Sequence, residues 1–590
     1  MYSHRQGRPL VRRRSLLAVA WTLSTYCYKQ FIRWQDRYGR YSYAAWIRTV
    51  EHGLLKRAQS RAAGAELSVG VVIAERDVTQ AAAEKTLRSL FQQELDWQIV
   101  FLLPAFASCR QAGWFQALMG SGRVSVMTVS VDFTADQWPL YAAQLSGDWL
   151  VLLEAGTQLA PVWGHLLRGQ AAQTPLADVI YWDEDQVGER GQRIRPFFKP
   201  DWSPELLYSL NYLRTAAFRK AHLLACPERA ASGWTFEAAA AARLVAHLPF
   251  VLEHHPRLLP EQSTLELVQH AHGVQAHLER CGYRQVAVGV NENGLLRARW
   301  QGDQPLVSII IPTRNNLDYI RRCLKSLLEK TRYPRLEILL MDDHSSDPGV
   351  LAYYQEVLSV HACVHLHHNQ EAFNYSRVNN QGARLARGDL LLFLNNDVEI
   401  LTEDWLDELV RWVQLPGVGM AGARLLYPDG LIQHAGIVIG MTGHANHVFA
   451  GDCPPQNELV YSVDWYRNVS AVTGACMLVR RAVFEQLGGF NEALSLVFND
   501  VELGQRLLRA GQRIVYTPEA RLIHYEGRSR ARYIPPENIR LGAELLAERV
   551  ASGDPYYSPN LSLAVHWPTF RRASDPQPIK QLKAIVRFKG

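Results

Sequence analysis

The sequence predicts an α/β protein of two tandem domains, each a mostly parallel sheet flanked by helices. Three observations predict it. From about residue 66, short β-branched runs alternate with longer amphipathic runs, the layering of strands and crossover helices. Polar residues collect where the apolar runs stop, as they do at the carboxyl edge of an open sheet. The order of runs in the second half recurs, more weakly, in the first, with a period of about 240 residues. With 590 residues, 48% of them hydrophobic, the chain can fill more than one core.

The clearest unit begins at Leu306. "LVSIIIP" reads as a buried strand, and "TRNN" (313–316) as the polar turn at its end. In "DYIRRCLKSLLEK", Ile320, Leu324, Leu327 and Leu328 share a helical face that Arg321, Arg322 and Lys325 avoid. "RLEILLMDDHSSD" is a second strand ending on Asp342 and Asp343. Upstream, "LSVGVVIAERD" (67–77), "AEKTLRSLFQQ" (83–93), "WQIVFLLP" (97–104) and "DWLVLLEAGTQLAP" (148–161) follow the same order. Between the copies, residues 276–305 read as a short helix and an extended linker.

The formal net charge of +6 is modest for this length and basic residues form no long runs, which argues against nucleic acid as a partner. Eight scattered cysteines without a C-x-x-C pair suit reduced thiols and a cytoplasmic location. The amino-terminal 65 residues stand apart. Arg5, Arg8 and Arg12 to Arg14 precede "LLAVAWTLSTYCY", an apolar stretch too short to span a bilayer, and cations then interleave with Trp34, Tyr38, Tyr41, Tyr43 and Trp46. That pattern suits a segment lying on a membrane surface, and equally a helix packed on the protein itself.

Four polar clusters in the second copy can carry chemistry. Thr313, Arg314 and Asn315, with Asp342 and Asp343, can meet a nucleotide's base and ribose, since carboxylates accept from base N–H and sugar hydroxyl groups. "FNYSRVNNQGARLARGD" (373–389) adds Asn380 and Arg384. "LLLFLNNDVEI" (390–400) runs a buried strand into Asn396 and Asp397, and Asp397 is the kind of hard oxygen ligand that Mg²⁺ or Mn²⁺ takes alongside phosphate oxygens and water. Asp500 opens an amphipathic helix, where the helix N-terminus favours its ionised form, and a positioned carboxylate can accept a proton. Glu502, two residues on, faces away from it. His524 follows the last long strand and can complete a metal shell.

Taken together, "VSIIIPTRN", "DDHSSD", "NNQGARLARGDLLLFLNND", "TGACMLVRRAVFEQLGGFNE" and "NDVELGQRLLRAGQRIVYTPEARLIHYEG" resemble glycosyltransferase family 2 across residues 306–527. "YWDEDQVGERGQRIRPFFKPDWSPELL" (181–207), "QHAG" (433–436) and "GDPYYSPNLSL" (553–563) resemble tandem-domain members linked to bacterial surface polysaccharides such as O-antigen. The resemblance implies the Rossmann-like GT-A fold, and inverting transfer from a nucleotide-diphosphate sugar to a glycan or polyprenyl-linked acceptor, assisted by Mg²⁺ or Mn²⁺. It places Asp342 and Asp343 at the nucleoside and Asp397 at the last position of an Asp-x-Asp metal motif whose first acid is here Asn395. Asp500 falls on the general base, and His524 on a residue near metal or phosphate. It also implies a cytoplasmic enzyme, peripheral on the inner face of the membrane.

The upstream copy lacks these ligands. Leu103 and Pro104 stand where the downstream copy has Asp342 and Asp343, Gly156 stands against Asp397, and only a shifted Glu237 approaches the place of Asp500. The expected division is therefore 1–65 as a basic and aromatic segment, 66–275 as a degenerate domain, 276–305 as linker, 306–550 as the catalytic domain and 551–590 as a tail. "WDED" (182–185) is the carboxylate-rich stretch on which a second active domain would rest. Two rival readings are a non-catalytic glycan-binding scaffold and a sugar nucleotidyltransferase; the latter calls for a glycine-rich loop after the first strand, which "PTRNNLDY" does not supply.

Overall fold

A computed structural model of the chain describes residues 16–60, 66–130, 135–226, 234–256, 264–291, 293–451, 462–525 and 534–589. The arginines at 5, 8 and 12–14 lie outside the described residues. Two large sheets dominate. The first is built from β1 (Ser68–Ala74), β2 (Asp96–Pro104), β3 (Val124–Val129), β4 (Trp149–Leu153), β5 (Gln158–Leu159), β6 (Val179–Val187), β7 (Arg193–Phe197), β8 (Ala216–Arg219) and β9 (Val245–His255). Its order is β3-β2-β1-β4-β8-β6-β9-β5, with β7 on β6.

Between the sheets, 276–305 is not an extended linker. The helix Thr264–Arg280 runs into an antiparallel hairpin, β10 (Arg284–Val290) and β11 (Leu296–Gln301). Alternation in "LRARWQ" turns Leu296, Ala298 and Trp300 inward, and Trp300 meets Trp412 edge to face. The hairpin is thereby part of a core that runs continuously from Val72 and Leu102 in the first sheet to Leu340 and Leu392 in the second.

The second sheet comprises β12 (Val307–Thr313), β13 (Leu336–Asp342), β14 (Val364–His368), β15 (Leu390–Leu394), β16 (Val398–Ile400), β17 (Val418–Leu426) and β18 (Ile432–His434), then β21 (Arg467–Asn468), β22 (Cys476–Arg480) and β23 (Arg513–His524); β19 (Ile437–Ile439) and β20 (Ala445–His447) form a small separate hairpin. Its order, β14-β13-β12-β15-β22-β17-β23-β16 with β18 on β17, repeats that of the first sheet position by position. The directions repeat too: β12 is parallel to β13 and β15, and β17 to β23, while β22 runs antiparallel to both its neighbours. The duplication expected from periodicity is thus a duplication of topology, and the chain has the α/β fold of two tandem, mostly parallel sheets.

The carboxyl-terminal residues close across both copies. Asn560 donates to Asp183 in β6 at 3.0 Å, and Trp567, Thr569 and Arg572 all bond Asp36 of the amino-terminal helix Leu16–Arg37. The helices Pro536–Ser552 and Pro578–Lys589 then pack beside the β19–β20 hairpin.

Candidate functional site

Parallel pairing of β12 with β13 and β15 brings three strand ends to one edge of the second sheet. At the first, Asn315 and Asn316 take left-handed backbone (φ 50° and 60°), a conformation asparagine tolerates. Asn315 Oδ1 accepts from the amides of Ser346 and Asp347 at 2.8 and 3.0 Å, so its side chain ties two loops together. Thr313 Oγ1 lies 3.2 Å from both Tyr354 Oη and Asn396 Nδ2.

Asp342 and Asp343 are both buried. Asp342 accepts from the Ser345 amide at 3.3 Å and faces His368 Nδ1 at 3.1 Å; Asp343 accepts from Asn369 Nδ2 at 2.7 Å and pairs with Arg314 at 3.5 Å. Burial raises the Tyr354 phenol beside Asp342, so it stays a hydrogen-bond donor there.

The third strand end carries the metal-type residues. Antiparallel pairing sets Val398 opposite His524, which places Asp397 against the imidazole, with Nε2 to Oδ1 at 3.1 Å. Asn395 Nδ2 lies 3.2 Å from the same Nε2, and Gln433 Oε1 lies 2.6 Å from Nδ1. Burial, with the charge of Asp397 adding to it, pushes the nearby Cys323 thiol up to about 12, which leaves it protonated and no rival ligand. Burial, and then His524, push His447 down to about 4, so it is neutral beside the site.

Asp500 reaches this edge from the helix Asn499–Arg509, whose Leu503 and Leu507 are buried. The helix is entered through Phe498 at φ 66°, a costly conformation for an aromatic residue, held by packing against Gly542, where a Cβ would come within 2.6 Å of the ring. Asp500 Oδ2 accepts from the Gly474 amide at 3.0 Å, and Tyr375 Oη donates to the Gly474 carbonyl at 3.0 Å. Tyr375 also approaches Asn395 Oδ1 at 3.4 Å. A chain of short contacts therefore runs from Asp500 through Gly474, Tyr375, Asn395 and His524 to Asp397. Glu502 is turned away and bound to Arg506 at 2.7 Å.

Two of the expected site residues are not brought to this edge. Asn380 has both amide atoms on Phe490, and its Nδ2 also reaches Glu492. Arg384 sits near the far end of the helix Tyr375–Leu385, about 14 Å along the axis from Tyr375, toward the strand starts. Conversely, Tyr375 and Gln433 hold the site together and were not singled out from sequence. "QHAG" carries a family resemblance, but nothing local to it points at residue 524.

The first sheet is filled differently at the same place. Pairing of Gln158 with His254 makes His255 the counterpart of His524 and Gly156 that of Asp397. His255 Nε2 lies 3.0 Å from both Glu184 and Glu253, and Glu184 pairs with Arg214 at 3.2 Å and Lys199 at 3.7 Å. Asp183 and Asp185 are equally engaged: Asp183 with His247 and Asn560, Asp185 with Tyr43, Arg193 and His254. Glu237 binds His277 at 2.8 Å. Among the described residues of either sheet, no cluster of three or more His, Cys, Asp or Glu side chains is arranged to hold a metal.

The chain is similar to known proteins. The model for "Glycosyl transferase family 2" matches residues 308–488. The O-antigen biosynthesis protein RfbC of Myxococcus xanthus is 35% identical over 551 residues, covering 88% of this chain and 42% of that protein. The N-acetylglucosaminyl-diphospho-decaprenol L-rhamnosyltransferase of Mycobacterium tuberculosis is 33% identical over 134 residues, covering 22% of this chain and 43% of that one. A crystal structure of GalNAc-T7 with UDP, GalNAc and Mn²⁺ matches at 16% identity and a TM-score of 0.35, covering 48% of this chain and 57% of that one. The chain spans less than half the length of the curated relatives named here. The sheet that begins at Val307 thus carries a glycosyltransferase family 2 domain, matched over residues 308–488.

Proposed function

We propose that the second sheet carries an inverting glycosyltransferase site that moves a sugar from a nucleotide-diphosphate donor to a hydroxyl of a glycan or polyprenyl-linked acceptor in bacterial surface polysaccharide synthesis. The observation that carries this reading is the run of contacts joining Asp500 to Asp397. It puts a proton acceptor and a candidate metal ligand at one strand edge, beside the buried acids Asp342 and Asp343.

Asp397 Oδ1 and His524 Nε2 fit Mg²⁺ or Mn²⁺: one carboxylate and one imidazole lie side by side, as in sites that take their remaining ligands from water and substrate phosphate. An ion held by these two residues would supply positive charge against the departing nucleoside diphosphate. Asp342 and Asp343 accept hydrogen bonds from the nucleoside, with Arg314 paired to Asp343 and Asn396 bonded to Thr313 beside them. Asp500 takes the proton of the acceptor hydroxyl while that oxygen forms the new bond to the anomeric carbon and the bond to diphosphate breaks on the opposite side, inverting the centre. The Gly474 amide keeps the Asp500 carboxylate aimed without consuming all its lone pairs.

The first domain, 66–275, is proposed to lack transfer activity and to serve packing and acceptor or partner contact. The place of the metal ligands is occupied there by internal ion pairs. For the membrane, the proposal is peripheral contact on the cytoplasmic face. The M. tuberculosis relative is named for a decaprenol-linked acceptor. Among the described residues no helix is long and apolar enough to cross a bilayer, but the helix Leu16–Arg37 exposes Leu23, Tyr26, Phe31 and Trp34, with Tyr38 just beyond it. Lys580, Lys583 and Arg587 line an exposed face of the carboxyl-terminal helix.

The test is release of free nucleoside diphosphate from a panel of sugar donors with Mn²⁺ and a lipid-linked acceptor. Release should fall roughly 10²-fold or more in Asp500→Asn and persist in Glu154→Gln, the acid at the corresponding strand end "LLEAG" of the first copy. Folded protein that turns over no donor would sink the reading in favour of a scaffold.

A further inference from the structure

The two ring nitrogens of His524 meet different neighbours, and one side chain decides which of them carries the hydrogen. Gln433, on β18, is buried at 3% exposure. Its Nε2 donates to the backbone carbonyl of His524 at 3.2 Å, which leaves Oε1 facing the ring, 2.6 Å from Nδ1. The amide's orientation is set by that carbonyl, since a reversed amide would put two oxygens together. An amide oxygen has no proton to give, so Nδ1 carries the hydrogen. In the neutral ring the lone pair then sits on Nε2.

Nε2 points at Asp397 Oδ1, 3.1 Å away. A carboxylate oxygen is itself an acceptor, so beside the neutral ring the two lone pairs face one another, an arrangement that a cation between them would satisfy. Asn395 Nδ2, at 3.2 Å, is the neutral donor within reach of the same nitrogen. Gln433 is itself held from behind. β18 pairs with β17 through His434, and His434 Nδ1 lies 2.8 Å from His447 Nδ1 on the β19–β20 hairpin.

We propose that Gln433 is a positioning residue that fixes the Nδ1–H tautomer of His524 and so presents Nε2, with Asp397, as a ligand for a divalent cation. The inference rests on the metal reading above and adds a residue to it. An outer carbonyl that orients a ligating histidine typically governs metal affinity by 10- to 100-fold.

Two measurements on the full chain test it. In the first, Mn²⁺ is titrated against the protein with saturating UDP, GDP or dTDP in turn, and free Mn²⁺ is followed by electron paramagnetic resonance. Gln433→Leu should weaken Mn²⁺ binding about 10- to 100-fold. Gln433→Glu keeps an acceptor oxygen at Nδ1 but sets its second oxygen against the His524 carbonyl, and should weaken Mn²⁺ binding less than Gln433→Leu does. Gln433→Leu binding Mn²⁺ as tightly as wild type, or the two variants weakening equally, overturns the proposal. In the second, [¹⁵N]histidine spectra of the metal-free protein, with His524 assigned by its loss in His524→Asn, should show an Nδ1–H ring that Gln433→Leu disturbs. An Nε2–H ring in wild type overturns the proposal. Wild type that fails to retain Mn²⁺ with any nucleotide removes the metal reading instead, and the tautomer spectra then decide the role of Gln433 alone. Unfolding midpoints and circular dichroism separate misfolded variants from folded ones; if Gln433→Leu does not fold, Gln433→Met takes its place in both measurements.

Discussion

Glu205 and Arg513 lock the two sheets together. Arg513 Nη2 donates to Glu205 Oε1 at 2.8 Å and its Nε lies 3.0 Å from the same oxygen, in a pair whose carboxylate is almost wholly buried. Ser203 Oγ, two residues before, lies 2.9 Å from Asn468 Oδ1 in β21. The run "KPDWSPELL" thus acts as a strap from the first copy onto β21 and β23 of the second. Removing one partner of a fully buried pair costs about 3–5 kcal/mol, but the arginine left behind here is 31% exposed, so the cost is about 1–3 kcal/mol. Glu205→Ala should lower the unfolding free energy by that amount, and Glu205→Ala with Arg513→Met should recover part of it. Urea unfolding of the three variants measures both numbers. Simple additivity of the two single losses would rule the coupling out.

The same reasoning applies at the centre of the first sheet. Glu184 is fully buried among Lys199, Arg214 and His255, and this positive surround holds its carboxyl well below the usual range despite the opposing effect of burial. Glu184→Gln leaves those cations without their anion and should destabilise the protein by about 3 kcal/mol or more. In the folded fraction, nucleoside diphosphate release per site should be unchanged if the first sheet has no chemical role. Loss of turnover at full folding would instead make the first sheet part of the chemistry.

A thermal-shift experiment addresses Asp397. Ligand that binds the folded chain alone raises its stability by mass action, about 2.7 kcal/mol at a hundred times Kd. UDP, GDP or dTDP with Mn²⁺ should raise the midpoint of wild type more than either component alone. Asp397→Asn should abolish the Mn²⁺-dependent part of that rise while keeping the nucleotide part. An undiminished Mn²⁺ effect in Asp397→Asn would show that the ion sits elsewhere.

Acid stability should depend on His270, far from the site. Burial holds its imidazole down to about 4, and its ring lies 2.7 Å from the Leu207 carbonyl. The folded value is below the unfolded one, near 6.5. Its contribution is therefore present in full above pH 6.5 and is lost as pH falls toward 4, because the unfolded chain takes up the proton first. Between pH 7.5 and 5 the loss from this group is about 2 kcal/mol. Chemical unfolding at the two pH values should show a smaller difference, by roughly that amount, in His270→Gln. Equal pH dependence in the two proteins would refute it.

Much of the candidate site's clustering was legible because its residues end contiguous strands. Thr313, Asp342 and Asp397 each follow an apolar run, and parallel pairing of neighbouring runs brings their ends to one edge whatever the loops do. Asp500 was legible from the amphipathic helix it opens. Arg384 was misplaced because a helix advances about 1.5 Å per residue, and nine residues carry a side chain to the other end of the sheet. The amide of Asn380 is spent on the backbone of Phe490, more than a hundred positions away, a contact no local pattern announces. The segment 276–305 was read as a linker because its alternation is short and its polar positions many. What makes it a hairpin is the apolar surface of Trp412 on which Trp300 lies.

The sequence by itself determined the α/β class, the doubling of the fold and the family of its second domain, because these depend on local periodicity and on motifs that are continuous along the chain. The tertiary structure decided which nitrogen of His524 faces Asp397, that the acids of "WDED" are consumed by internal cations, and that Asn395 bridges Tyr375 and His524. Each of these is a contact between side chains far apart in sequence, and its geometry depends on strand register and packing that no single segment encodes.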